Sequence, residues 1–248
     1  MTSLFAGASN NSAPLADRLR PKQVSELVGQ EHVLADDAAI GRMLVSGKMV
    51  SLILWGPPGC GKTTLARALA NSIDAEYVTL SAISSGVADL KKQFEAARQR
   101  AKDGKRTLLF VDEIHRFNRA QQDAFLPVVE DGTITLIGAT TENPSFELNS
   151  ALLSRCKLVI LKSLDETALE QLLQRAEQAE DKTLPISEAA RLMLISFADG
   201  DGRALLNMAE EIFSTAATQP MDEQELSQFI NKRAPIYDKS QEGHYNLI

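Results

Sequence analysis

The chain has 248 residues, 44% of them hydrophobic, 24% charged and 5% aromatic, and a formal net charge of −7. That is enough for one large domain or two small ones, and the composition is that of an ordinary soluble globular protein. The acidic balance excludes wholesale non-specific binding to nucleic acid but permits a local basic surface.

No stretch reaches the roughly 18 apolar residues of a membrane span, and residues 1–12 have no basic segment before an apolar one, so they do not read as a secretion signal. Two cysteines, Cys60 and Cys156, and three scattered histidines, His32, His115 and His244, give neither a disulfide framework nor metal-ligand spacing. Such cysteine usage fits a reducing compartment, the cytoplasm.

In chain order, residues 1–13 read as a disordered tail. Residues 14–30 mix charge with spaced Leu and Val. A helix is expected over 35–46, closed by Gly47. The apolar run 51–55 reads as a strand. It leads into Gly56, Pro57, Pro58, Gly59, Cys60, Gly61, Lys62 and Thr63, and then, from Thr64, into a helix ending near 72. Strand, glycine loop, helix is the context of a Walker A motif. Glycines let successive N–H groups converge, and the helix N-terminus adds partial positive charge, making a cradle for the β- and γ-phosphates of ATP. Lys62 is expected to reach those phosphates and the Thr63 hydroxyl to hold Mg²⁺. The 14–30 segment is then expected to pack over the base.

Residues 76–80 read as a second strand. Ser84-Ser85-Gly86 opens a helix over 87–102, with apolar residues at 87, 90, 94 and 97. Residues 91–106 carry seven basic side chains against Glu95 and Asp103, either a nucleic-acid track or a solvated helix face. The continuous apolar run 107–111 marks a strand buried on both faces. It ends in Asp112-Glu113, an acidic pair where an α/β sheet places its ligand groups. Asp112 fits a Walker B carboxylate that holds Mg²⁺, and Glu113 fits the base or orienting group for an attacking water.

A helix is expected over 119–129, a strand over 133–138 and another over 157–161. Between those strands lie Thr141, a polar side chain placed to position the water, and Arg155. Phosphoryl transfer without an arginine near the γ-phosphate is slow, and one supplied by a neighbouring subunit raises the rate by orders of magnitude. Strands alternating with helices imply a parallel sheet covered on both sides. After Lys162 only helical blocks remain, near 165–179, 187–198, 203–217 and 222–231. Arg203 opens the third of these, where it is suited to reach the γ-phosphate and couple lid angle to nucleotide state. The domains expected are a tail (1–13), a nucleotide-binding core (14–162), a helical lid (163–232) and a linker (233–248).

These elements in this order resemble the AAA+ ATPases, and more narrowly their clamp-loader branch. Ser154-Arg155-Cys156 is similar to its arginine-finger motif, Thr141 to its first sensor and Arg203 to its second. Arg20-Pro21 and Val28-Gly29-Gln30 look like its adenine-contacting box. Within the branch, residues 16–34, 112–132, 137–156 and 234–248 resemble the replication-associated recombination protein A family, which includes the eukaryotic Werner-helicase-interacting ATPases.

The resemblance implies an α/β AAA+ P-loop core with a five-stranded parallel sheet and a small all-helical lid. It implies a DNA-dependent ATPase, with ATP and Mg²⁺, acting at stalled or gapped replication forks and at DNA ends in the cytoplasm, associated with the nucleoid. Implied partners are DNA with single-stranded gaps or ends, single-stranded-DNA-binding protein and further copies of the chain. Family members form tetramers through a further C-terminal helical domain, and the resemblance implies that this chain stops where that domain would begin.

In the branch, helix N-termini grip phosphates. The matching place here, Ser84-Ser85-Gly86-Val87, where free N–H groups are suited to take a phosphate and Lys91 lies downstream, reads equally as an ordinary helix cap. Leu4-Phe5 is similar to the end of a sliding-clamp-binding peptide, a likeness that chance also explains. A loader or scaffold that uses ATP occupancy to recruit single-strand-binding protein or the clamp is the alternative function. A metabolic P-loop kinase would not need the acidic pair followed by an arginine finger.

Overall fold

A computed structural model of the chain describes residues 13–215 and 219–231. The Leu4-Phe5 hook and the expected 233–248 linker lie outside the described residues. Contacts divide the chain into two units: residues 20–164 and, among the described residues, 13–19 with 165–231.

The first unit is built on five parallel strands: β1 (Leu52–Trp55), β2 (Ala75–Ser81), β3 (Arg106–Asp112), β4 (Thr135–Thr140) and β5 (Lys157–Ile160), in the order β2-β3-β4-β1-β5. Helices α1 (Lys62–Ser72) and α2 (Val87–Lys102) cover opposite faces. Because strand side chains alternate, β3 serves both cores. Leu108 and Phe110 pack with Leu52, Leu54 and Ile137 beneath Leu65 and Leu69 of α1. Leu109 and Val111 pack with Ile53 and Leu136 beneath Leu90 and Phe94 of α2. Each such side chain, fully buried, contributes about 1.5–3 kcal/mol. The continuous apolar run in the sequence is the imprint of this two-sided burial.

Several boundaries differ from the sequence expectation; the block expected over 203–217, for one, is helical only to Phe213. The 119–129 helix is two short ones, Arg119–Asp123 and Leu126–Glu130, because Pro127 has no N–H to continue a helix and sits instead in a new first turn. Strand β4 starts at Thr135, since the Thr133 N–H goes to Asp131 Oδ1 and the Ile134 N–H to the Val128 carbonyl rather than into the ladder. The 35–46 helix is confined to Gly41–Ser46. A Cβ on Gly41 would lie 1.9 Å from the Ala35 carbonyl oxygen, so the chain doubles back on itself there.

The second unit holds α3 (Glu166–Glu180), α4 (Glu188–Ala198), α5 (Gly202–Phe213) and α6 (Glu223–Asn231), joined by the short helix Leu15–Arg18. Asp165, Ser187 and Asp201 cap the first three, accepting the N–H groups of Ala168, Ala190 and Ala204, each cap worth about 1 kcal/mol. Arg191 of α4 ties Glu170 and Glu177 of α3 through contacts of 2.8–3.1 Å. Among the described residues no helix is long and apolar enough to cross a membrane.

Candidate active site

The phosphate loop leaves β1 at Gly56, whose N–H donates to the Thr140 carbonyl at 3.3 Å. Gly59 (φ 64°) and Gly61 (φ 100°) lie in the left-handed region that side chains avoid. A Cβ on Gly61 would meet nothing within 4 Å, so glycine is required there for its backbone angle and not for room. Gly61 is the N-cap of α1, which places Lys62, Thr63 and Thr64 in the first helical turn. Lys62 is 8% exposed, and its Nζ donates to the carbonyls of Gly56 (2.7 Å) and Pro57 (2.8 Å). Its charge is thus held at the mouth of a loop whose helix end already favours an anion.

Strand register sets the remaining groups around the loop. Trp55 lies beside Thr140, and Val111 beside Gly138. Gly56, Thr141 and Asp112 therefore all emerge at the carboxyl edge of neighbouring strands β1, β4 and β3, with adjacent strands about 4.8 Å apart. Thr141, half-buried, follows the central strand of the three, and its carbonyl accepts Trp55 Nε1–H at 3.3 Å. Among the described residues no cluster of His, Cys, Asp and Glu is placed to form a metal cage. The Thr63 hydroxyl and Asp112 carboxylate are instead hard oxygen donors, which suit Mg²⁺ shared with phosphate oxygens and water.

Glu113 has a left-handed backbone (φ 52°, ψ 44°), a placement that costs about 1–3 kcal/mol and persists only where the surroundings enforce it. The half-buried His115 lies beside it, with Nδ1 3.3 Å from Glu113 Oε2 and 2.8 Å from Thr140 Oγ1. Gln30, 3% exposed, reaches the loop from its other side. Its Nε2 donates to the carbonyls of Cys60 (3.2 Å) and Lys162 (2.8 Å), and its Oε1 accepts the Lys162 N–H (3.2 Å). Gln30 was read from the sequence only as the end of the segment that resembles an adenine-contacting box, and His115 and Thr140 were given no role. The His115–Thr140 and Gln30–Lys162 pairs span 25 and 132 residues, distances at which local patterning gives no signal.

Arg20 and Val28 belong to the segment that ends in Gln30. The guanidinium of Arg67 sits 5.5 Å from the Tyr77 ring centre. Burial raises the Tyr77 phenol above its ordinary pKa, while Thr79, Arg67 and Arg20 oppose the shift.

Arg155 does not join the carboxyl edge. It lies two residues before β5, whose Lys157 pairs with Leu52. Arg155 therefore sits beyond the amino edge of the sheet, whose last paired residue there, Leu52, is about 13 Å along the strand direction from Gly56. Its side chain is exposed and pairs with Glu130, and Nη1 donates to the Ala151 carbonyl (2.8 Å) and Ser154 Oγ (3.1 Å). Arg203 is exposed in the first turn of α5 in the second unit.

The helix-cap region is occupied by the protein's own groups. The Ser84 and Ser85 N–H groups both go to the Ser81 carbonyl, and the Gly86 N–H goes to Asp89 Oδ2 at 2.8 Å. The N–H groups of Ser84, Ser85 and Gly86 are thus already bonded, beside a carboxylate of the same sign as a phosphate. What faces solvent here is the exposed Ser84, the half-buried Ser85 and the exposed Lys91.

A P-loop at the carboxyl edge of a β2-β3-β4-β1-β5 sheet, with an acidic pair two strands away, defines an AAA+ nucleotide hydrolase. Residues 52–164 match the ATPase family associated with various cellular activities, residues 179–248 match the AAA C-terminal domain, and the chain belongs to the AAA ATPases.

Within that class it is similar to replication-associated recombination protein A. It is 43% identical to the Escherichia coli K12 protein, over 100% of this chain and 58% of that protein. It is 44% identical to the Coxiella burnetii protein, over 97% and 56%. The chain thus spans little more than half the length of these relatives. Among solved structures, the Thermotoga maritima RuvB Holliday junction branch migration motor aligns with a TM-score of 0.68 and 26% identity, over 86% of this chain and 72% of that one.

Proposed function

We infer that this chain is the ATP-hydrolysing part of a DNA-dependent ATPase, which acts at stalled or gapped replication forks and couples ATP hydrolysis to remodelling of DNA ends. The observation that carries the hydrolytic reading is the meeting of Gly56, Asp112 and Thr141 at one edge of three adjacent strands. The loop residues 56–64 and Lys62 bind the phosphates, and Arg20 and Val28 bind the adenine. Thr63 and Asp112 hold Mg²⁺, which, when bound, neutralises charge on the phosphates. Glu113 orients and deprotonates the attacking water, and Thr141 holds that water in line.

Arg155 acts on the site of a second copy. Its place at the amino edge favours this, because Gly56 leaves the opposite edge and the paired length of strand between them, about 13 Å, is more than one side chain spans. Arg203 senses the γ-phosphate from the helical unit. The DNA reading is supported by the names of the relatives and of RuvB, and by the exposed Lys91 beside Ser84 and Ser85. Backbone phosphate contact through a few cations suits a chain of net charge −7. The working form is a homo-oligomer, cytoplasmic and associated with the nucleoid, with single-strand-binding protein as a partner.

The test is the steady-state ATPase rate against protein concentration, with and without a duplex carrying a single-stranded gap. A rate per chain that climbs with both supports the reading. A rate that is flat and blind to DNA refutes it. If Glu113→Gln, locked with ATP, still complements a deletion in cells, the chain is an ATP-gated scaffold for partner recruitment and not a motor.

A further inference from the structure

His115 holds together two parts of the site that no sequence pattern links. Its ring is buried, 8% exposed against 28% for Glu113, so water does not readily replace its contacts. One atom, Nδ1, faces both Thr140 Oγ1 at 2.8 Å and Glu113 Oε2 at 3.3 Å.

The hydrogens around it can be assigned. Thr140 is fully buried, and its hydroxyl accepts the Glu142 N–H at 3.0 Å and lies 3.3 Å from the Glu142 carbonyl oxygen. If the hydroxyl hydrogen goes to that carbonyl, the contact with the ring must be supplied by a proton on Nδ1. Glu113 Oε2, 3.3 Å from the same nitrogen, then lies against that N–H at ion-pair distance. In the opposite assignment the hydroxyl donates to a bare Nδ1, which sets a nitrogen lone pair against a carboxylate oxygen. Only the Nδ1–H form satisfies every contact.

We propose that His115 is a positioning residue that fixes the Glu113 carboxylate, through an Nδ1–H that bonds Thr140 and lies 3.3 Å from Glu113 Oε2. The assignment rests on the reading of Glu113 given above. Its physical content is a chain of contacts: the Gly56 N–H bonds the Thr140 carbonyl, the Thr140 hydroxyl bonds His115, and His115 lies 3.3 Å from the Glu113 carboxylate. The phosphate loop and the water-activating carboxylate are thereby registered to the same residue at the end of β4, next to Thr141. Glu113 needs such a partner because its left-handed backbone alone does not set the direction of its side chain. A misplacement of about 1 Å in such a group costs on the order of a hundredfold in rate.

The test compares His115→Asn with His115→Leu. Asn and Leu are close in size, but only Asn keeps an N–H near the Nδ1 position. Turnover at saturating ATP and gapped duplex is expected to stay within about threefold of wild type in His115→Asn and to fall at least tenfold in His115→Leu. Nucleotide affinity is expected to be unchanged in both. Equal loss in the two variants, or full turnover in His115→Leu, overturns the assignment.

Glu113→Gln is measured alongside. Wild-type turnover in that variant overturns the catalytic reading itself, whereas an inert Glu113→Gln with indistinguishable Asn and Leu variants overturns only the role of His115. A readout independent of turnover is the ¹⁵N spectrum of the imidazoles, with His115 identified by the signal missing in His115→Asn. A proton on Nδ1 is expected, and a bare Nδ1 overturns the proposal.

Discussion

Gln30→Ala should damage both the fold and the phosphate loop. Gln30 uses both hydrogens of its amide, to Cys60 and Lys162 carbonyls, and its oxygen accepts the Lys162 N–H. At 3% exposure no water stands ready to replace it. Truncation therefore strands three backbone groups, at about 1 kcal/mol each, or about 3 kcal/mol in all. For a chain of this size that is a fall in melting temperature of about 6–12 °C. The Cys60 carbonyl is part of the phosphate loop, so ATP affinity should fall as well, by about tenfold for each 1.4 kcal/mol of lost loop order. Gln30→Glu, which keeps the shape but turns an oxygen toward two carbonyls, should be no better tolerated. Thermal unfolding and titration with a fluorescent ATP analogue read the two effects. A Gln30→Ala protein that melts within about 2 °C of wild type and binds ATP equally well would refute the reasoning.

Gly56→Ala places a Cβ 2.6 Å from the Leu161 carbonyl oxygen, a backbone atom that cannot swing away. A loss of about 1–3 kcal/mol in urea unfolding, with weaker ATP binding, is expected, and an unchanged unfolding midpoint would show that the strands part freely. In the helical unit, hydrogen bonds from Arg191 hold the Glu170 carboxyl below its ordinary value of 4.5. A depressed folded value means stability that is present above the unfolded value and lost as pH falls through the folded one. Arg191→Met should therefore flatten the fall in urea midpoint below about pH 4.5, and an unaltered acid limb would show that the pair contributes nothing. Glu113→Gln should bind ATP with wild-type affinity in equilibrium titration yet lose at least about a hundredfold in turnover; comparable weakening of binding would place Glu113 in phosphate binding instead.

What the sequence disclosed, and what it did not, follows from the range of the forces involved. The phosphate loop is eight consecutive residues whose chemistry is local, and β3 is buried on both faces, which leaves a continuous apolar run. Both are therefore visible without coordinates. The contacts of Gln30 with Lys162 and of His115 with Thr140 join residues far apart along the chain, and a lone Gln or His has no period to betray it. Two features were within reach of the sequence. Pro127 marks the break in the 119–129 helix, and Asp89, three residues after Gly86, has the spacing to accept the Gly86 N–H. The placement of Arg155 at the sheet edge opposite Gly56 is a property of the assembled sheet alone.

The central claim is that the hydrolytic site is completed by Arg155 of another copy, and mixing two inactive variants tests it most directly. Lys62→Ala cannot hold the phosphates but carries an intact Arg155, whereas Arg155→Ala holds ATP normally but offers no finger. Each should be nearly inert alone. Their mixture, on gapped duplex, should regain turnover, because the intact loop of one protomer meets the intact arginine of its partner. A mixture as inert as its components, or an Arg155→Ala protein that hydrolyses ATP at full rate by itself, would contradict the claim.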